Sequence, residues 1–220
     1  MAERVSRFTR LGGGSSYTSS MAANKEPVIK GKKLPAVQSP NRSRPVDPGE
    51  DGARGDHAGL LDHDYLNQEQ FDKIDIILNR NVATAIAMYL KFKKSHWDVR
   101  GRFFHQLHEM YDEMATKVFA SIDPLAERLV QLGGSPVAAP EVIGKLASAK
   151  VPIETIHDAR QQLQELIQDH DKICRALRDD SETANDNGDP ATADLLNKVL
   201  QDFDFNRWML RATLDDVKID

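Results

Sequence analysis

A single cysteine, Cys174, stands among 220 residues, so an internal disulfide framework is excluded and no thiol pair is available for zinc. That scarcity suits a reducing compartment. Long apolar runs are also missing. The densest, Val82 to Leu90, is interrupted by Thr84 and falls far short of the roughly 20 residues that span a bilayer. No apolar stretch follows the N-terminal arginines as a secretory signal would require. Aromatic residues make up only 6% of the chain, so a core must be built mainly from aliphatic side chains. Charge is what the sequence has in quantity, and it is unevenly spread. Residues 1–44 carry Arg4, Arg7, Arg10, Lys25, Lys30, Lys32, Lys33, Arg42 and Arg44 against Glu3 and Glu26, a balance of +7 that leaves −12 for the remainder of a chain whose total is −5. A basic tail on an acidic body is the first indication of function.

The opening 60 or so residues read as unfolded. Gly12-Gly13-Gly14-Ser15-Ser16 is a flexible stretch, and Pro27, Pro35, Pro40, Pro45 and Pro48 crowd the segment that follows. Such a composition buries too little apolar surface to offset its ordering entropy. Two other readings stay open: the acid-poor, Arg- and Ser-rich start resembles an organellar transit peptide, and Met21 offers a second start. The expected division is a basic, Pro/Gly-rich extension over 1–64 and one folded domain over 65–220.

From Gln68 onward the apolar spacing is helical. Leu78, Val82, Ala85, Tyr89, Phe92 and His96 form one face of a first long helix, which Gly101 interrupts. Leu107, Tyr111, Met114, Val118, Ile122, Leu125, Leu129 and Leu132 form the face of a second, and Gly133-Gly134 ends it. Residues 135–153 predict a long connection with one short helix from Glu141 to Ala147. A third long helix is expected over about 156–183, with Leu163, Leu166, Ile167, His170, Ile173, Cys174 and Leu177 inward. The fourth begins clearly, with Asp189 as N-cap and Pro190 at the first helical position, and is expected to run to about Val217. No segment alternates with period two. The pattern predicts an all-α four-helix bundle with a short extra helix in the crossover between its second and third helices.

Five candidate metal ligands lie on the first two helices: His96, His108, Asp112, Asp123 and Glu127. His108 and Asp112 are four residues apart, as are Asp123 and Glu127, so each pair shares a helix face. Imidazole with carboxylate suits Fe(II), and also admits manganese or zinc. Distance then sets a condition. His108 and Glu127 lie roughly 28 Å apart along one helix, whereas metal–ligand bonds are about 2 Å, so one centre cannot take both pairs from one helix. Two copies crossing antiparallel about a twofold near Lys117 and Val118 would bring His108 and Asp112 of one to Asp123 and Glu127 of the other, twice per dimer.

These residues sit in a wider pattern: His96-Trp97, Arg100-Gly101, Phe104, His108-Glu109-Met110, Asp112, Asp123, Ala126-Glu127-Arg128 and Leu132-Gly133-Gly134, with Thr192-Ala193-Asp194 and Trp208 further on. The pattern resembles the Dps proteins, DNA-protecting miniferritins with a ferritin-like bundle, over about residues 65–217. The resemblance implies a ferroxidase at a twofold interface, taking His96, His108 and Asp112 from one subunit and Asp123 and Glu127 from its partner. It further implies a hollow shell of twelve subunits that stores Fe(III), hydrogen peroxide as oxidant, and Trp97 as a nearby oxidisable aromatic. A cytoplasmic, nucleoid-associated protein follows from it, with sequence-independent DNA contacts made by the basic tail. Asp186, Asp189 and Asp194 would line a threefold pore admitting cations, although Asp189 equally reads as a helix cap. Asp56, His57, His63, Asp64 and Glu69 offer a second metal site for zinc or manganese, without the ligand spacing expected in long-tailed members. Pro124, inside the second helix, predicts a kink that would affect Asp123. His170 reads as a core histidine, and Glu154-x-x-His157 as a solvated helix start. Two competing readings remain: a nucleoid-compacting protein with an idle metal site, and a store for manganese or zinc.

Overall fold

The computed structural model describes residues 65–215. Expectations for the basic extension over 1–64, including Asp56, His57, His63 and Asp64, lie outside these residues. Five helices follow in order: α1 Gln68–Asp98, α2 Phe104–Gln131, α3 Pro140–Leu146, α4 Ala159–Asp186 and α5 Pro190–Leu214. Among the described residues there is no strand, and no helix is long and apolar enough to cross a membrane.

The helix ends follow local chemistry. Asn67 opens α1 with a reciprocal cap: its side chain accepts from the Gln70 N–H at 3.0 Å, and the Gln70 side chain accepts from the Asn67 N–H at 2.9 Å. The break after Asp98 turns on Gly101, whose φ of 98° lies in the left-handed region. α2 ends where Gly133 takes φ 78° and the Gly134 N–H reaches back to the Leu129 carbonyl. A Cβ at Gly134 would sit 2.3 Å from the Leu129 side chain, so the close approach requires glycine. Asp189 caps α5 ahead of Pro190, as the sequence indicates. Two boundaries differ from expectation. α4 starts at Ala159, because Asp158 is its N-cap, and it runs on to Asp186. Glu154 and His157 therefore precede the helix rather than open it, and His157 Nδ1 bonds the Asp98 carbonyl at 2.7 Å. α2 is helical through Pro124, the position where the sequence predicts a kink within the helix.

Cross-helix contacts give the directions. Lys91 meets Asp169 and Gln162 meets the Ser95 carbonyl, so α1 and α4 are antiparallel. Lys117 lies over the Phe205 ring and Arg128 meets Thr192, so α2 and α5 are antiparallel. With the short α1–α2 and α4–α5 turns, this is an up–down–down–up bundle whose α2–α4 crossover must travel its length. The crossover is pinned to α1, where Asn79 accepts from the Val137 N–H at 2.9 Å and Thr84 from the Ser148 N–H at 3.0 Å. α3 itself buries none of its residues, but Ala147 just beyond it packs on Ala83 and Ala87.

The core comes from the inward faces of the four long helices, with Leu78, Phe92, Tyr111, Leu125, Leu129, Leu166 and Ile173 essentially inaccessible. Each such aliphatic or aromatic side chain contributes about 1.5–3 kcal/mol of transfer free energy. The thiol of Cys174, buried there, is pushed up to about 12 chiefly by desolvation, which leaves it unreactive as a nucleophile.

His170 is wholly buried between the Phe92 and Phe203 rings, and its Nδ1 donates to the Leu166 carbonyl at 2.7 Å. Among the described residues its Nε2 has no hydrogen-bond partner. Burial pushes its pKa from 6.5 down to about 4, against weaker opposing effects from the Leu166 hydrogen bond and nearby Asp169 and Asp171. The folded ring therefore refuses a proton that the unfolded chain accepts across this window. Stability falls as pH drops from 6.5 toward 4, by about 2 kcal/mol between pH 7 and pH 5. Denaturant midpoints measured across that range are expected to move less in His170→Leu than in the natural chain. Equal slopes would show that the ring does not control the acid limb.

Candidate metal centre

The end of α1 and the first turns of α2 bring two candidate ligands, His96 and His108, into contact. The His96 and His108 rings stack with centroids 3.6 Å apart and planes 19° from parallel. Their Nδ1 atoms cross-bond: His96 Nδ1 to the His108 carbonyl at 2.7 Å, and His108 Nδ1 to the His96 carbonyl at 2.9 Å. A carbonyl can only accept, so each Nδ1 carries a proton, and Nε2 is the nitrogen that bears the lone pair when a ring is neutral. The backbone thus presents two imidazoles in the tautomer that a metal takes through Nε2. Phe104 packs against His108, with ring centroids 4.9 Å apart.

Asp112 lies one turn beyond His108 on α2. Its carboxyl is held below the usual range by the Lys93 hydrogen bond above all, with smaller contributions from Lys93, His96 and His108 charge. Lys93 Nζ lies 2.5 Å from Asp112 Oδ1. Lys93 is a participant that reading for ligands missed. It precedes His96 by three residues on the same face of α1, so helical spacing could have found it.

Asp123 and Glu127 are both exposed further along α2, and neither has a hydrogen-bond or ion-pair partner among the described residues. No group of three His, Cys, Asp or Glu side chains converges within the described part of one chain. Of the five predicted ligands, His96 and His108 are in contact, Asp112 stands one helical turn beyond His108, and Asp123 and Glu127 lie further along α2. Trp97 is 61% exposed beside His96.

The pore aspartates also divide. Asp186 and Asp194 are exposed, and Asp194 lines a hollow of about 320 Å³ with Arg178, Ser181, Glu182, Asn185, Pro190, Ala193 and Asn197. Asp189 does not face solvent. It is wholly buried, accepts from the Thr192 N–H and hydroxyl, and pairs with Arg128 at 2.7 Å, so of its two sequence readings the structure supports the cap. Glu69, the described member of the second-metal candidates, is exposed and pairs with Lys73 at 3.0 Å.

A bundle of this topology, with a long crossover and imidazole and carboxylate side chains on its long helices, has ferritin-like architecture. The family model of the ferritin-like domain matches residues 77–219. DNA protection during starvation protein 1 of Deinococcus radiodurans is 46% identical over 177 residues, covering 78% of this chain and 86% of its own. The solved Dps structure from Thermosynechococcus elongatus is 34% identical with a TM-score of 0.65, covering 69% of this chain and 98% of that one. The DPS protein of Vibrio cholerae, described as a member of a broad superfamily of ferritin-like diiron-carboxylate proteins, is 28% identical with a TM-score of 0.66, over 73% of this chain and all of that one. The chain belongs to the Dps family of ferritin-like proteins.

Proposed function

We propose that this protein binds Fe(II) between two subunits and oxidises it, and that it stores the ferric product in a closed shell of twelve copies. The observation that carries this reading is the cross-bonded His96 and His108 pair with Asp112 one turn away. Two imidazoles fixed with Nε2 open, beside an ionised carboxylate, form an incomplete N,N,O ligand set that suits a divalent transition metal. Asp123 and Glu127, exposed and unengaged among the described residues, are the carboxylates a second copy would contribute. Each of two Fe(II) ions gives up one electron. Hydrogen peroxide takes both, and its O–O bond breaks to two water-level oxygens. Consuming Fe(II) and peroxide together removes the reactants that make hydroxyl radical.

The test is to load the whole protein with Fe(II) anaerobically, add one peroxide per two irons, and follow ferric absorbance beside Asp112→Ala. Fast oxidation in the natural chain with a large loss in the variant supports the reading. Slow oxidation, equal in both, would leave the ligand set idle.

DNA binding is assigned to the basic residues from Arg4 to Arg44, with iron and DNA meeting in a cytoplasmic, nucleoid-associated particle. Nine positive charges per chain, repeated over an assembly, make phosphate contacts multivalent. Deleting residues 1–44 is expected to weaken a gel shift strongly at low salt and to flatten its salt dependence. Unchanged affinity would remove the tail from the account. Admission of cations is assigned to Asp186 and Asp194, while zinc or manganese at Asp56, His57, His63 and Glu69 remains a secondary assignment resting on sequence.

A further inference from the structure

The Asp112 carboxylate already has a cationic partner. Lys93 Nζ stands 2.5 Å from Oδ1, and among the described residues no other side chain is bonded to the Asp112 carboxylate. The lysine stem lies along a hollow of about 170 Å³ between α1 and α2, walled by Tyr89, Ala115, Thr116 and Phe119. Tyr89 and Phe119 pack together there with ring centroids 5.3 Å apart. The Lys93 side chain is 21% exposed and that of Asp112 51%, so the ammonium is held from the protein side while the carboxylate opens outward. An ammonium is a compact point charge on a flexible stem, and it has no lone pair to offer a metal. It can occupy an acceptor position on Asp112, but it cannot become a ligand.

We propose that Lys93 is the resident counter-ion of Asp112, which an incoming divalent cation must displace, so that Lys93 sets the affinity threshold of the site. The inference rests on Asp112 being a metal ligand, as the proposed function holds. The ammonium neutralises a carboxylate that would otherwise stand among acidic neighbours brought by a second copy. A monovalent cation offers no more charge than the lysine it would replace. A divalent cation offers twice that charge and takes His96 and His108 in addition, so exchange favours it. Lys93 thereby sharpens selection for divalent transition metals at some cost in affinity. A half-exposed ion pair is a weak competitor, and the expected penalty is correspondingly modest.

Co(II), redox-inert under these conditions and coloured when bound by nitrogen and oxygen, is the probe. It is titrated into the whole assembled protein as the natural chain, Lys93→Met, Lys93→Gln, Lys93→Arg and Asp112→Ala, read by visible absorbance and calorimetry. Lys93→Met is expected to bind roughly 3- to 10-fold more tightly, with greater sensitivity to added NaCl because the site it leaves is more negative. Lys93→Arg, still cationic, is expected to stay near the natural value. Lys93→Gln, neutral and polar, is expected to follow the methionine variant, which separates loss of charge from altered packing. Equal or weaker binding in both neutral variants, with binding lost in Asp112→Ala, would overturn the counter-ion role alone. Undiminished binding in Asp112→Ala would overturn Asp112 as a ligand and the proposed ferroxidase with it.

Discussion

Asp112→Ala and Glu127→Ala each lose peroxide-driven iron oxidation by about 100-fold or more, yet the two variants assembled together recover roughly a quarter of natural activity. The first figure follows because outer groups that merely orient ligands already cost about 10- to 100-fold, and a ligand itself stands at or beyond that range. The recovery follows from symmetry. In a random mixture about half of the twofold pairs contain one chain of each kind, and in each mixed pair one site collects both lesions while the other collects none. Intact sites are then roughly one in four. Co-expression of the two variants, with ferric absorbance per subunit as the readout, makes the measurement. If the mixture stays as inactive as its components, the His96, His108 and Asp112 set does not meet Asp123 and Glu127 across subunits. Recovery well above a quarter would mean that the two variants pair with each other in preference to themselves.

Why the site could be anticipated from sequence, and where anticipation stopped, has a physical explanation. Helical periodicity is local, so Leu78 to Phe92 and Leu107 to Leu132 declared their buried faces, and Gly101 and Gly133 declared the breaks between elements. Asp189-Pro190 fixed the start of α5 because capping depends on adjacent residues. The start of α4 was placed three residues early, since the cap that decides it, Asp158, competes with a helical-looking Ile156 that the structure uses outside the helix, where its N–H meets Asp98 at 3.2 Å. Ligand spacing within α2 was legible for the same local reason. The features that orient the ligands were not. The crossed His96 and His108 bonds join residues twelve apart, and the Lys93–Asp112 pair joins residues nineteen apart on different helices. These contacts depend on how two helices are set against each other, which no single period records. Asp189 shows both sides of this, because its capping role is readable from adjacent residues whereas its partner on another helix, Arg128, is not.

That partner carries the second large effect. Arg128→Ala is expected to destabilise the fold by about 3–5 kcal/mol, the cost of leaving a buried charge without its counter-charge. Asp189 is wholly inaccessible, so water cannot replace the lost guanidinium. Arg128 is also bound to more than one element. Its Nη2 reaches Asp189 at 2.7 Å and the Tyr65 hydroxyl at 2.8 Å, and its Nε donates to Thr192 at 2.9 Å. A planar fork spans these acceptors where a lysine ammonium cannot, so Arg128→Lys should recover only part of the loss. Thermal unfolding reads the effect as a fall in Tm on the order of 10 °C for a domain of this size. Adding Asp189→Asn to Arg128→Ala removes the stranded charge while keeping an acceptor for the cap, and is expected to restore a substantial share of the stability. If the double variant is no better than Arg128→Ala alone, the guanidinium acts through packing rather than charge. The consequence reaches the metal centre, because Arg128 is the residue after Glu127 and ties the distal half of α2 to the start of α5. Loosening that tie frees the segment that carries Asp123 and Glu127, so Arg128→Ala should lose iron oxidation at temperatures where the bundle is still folded.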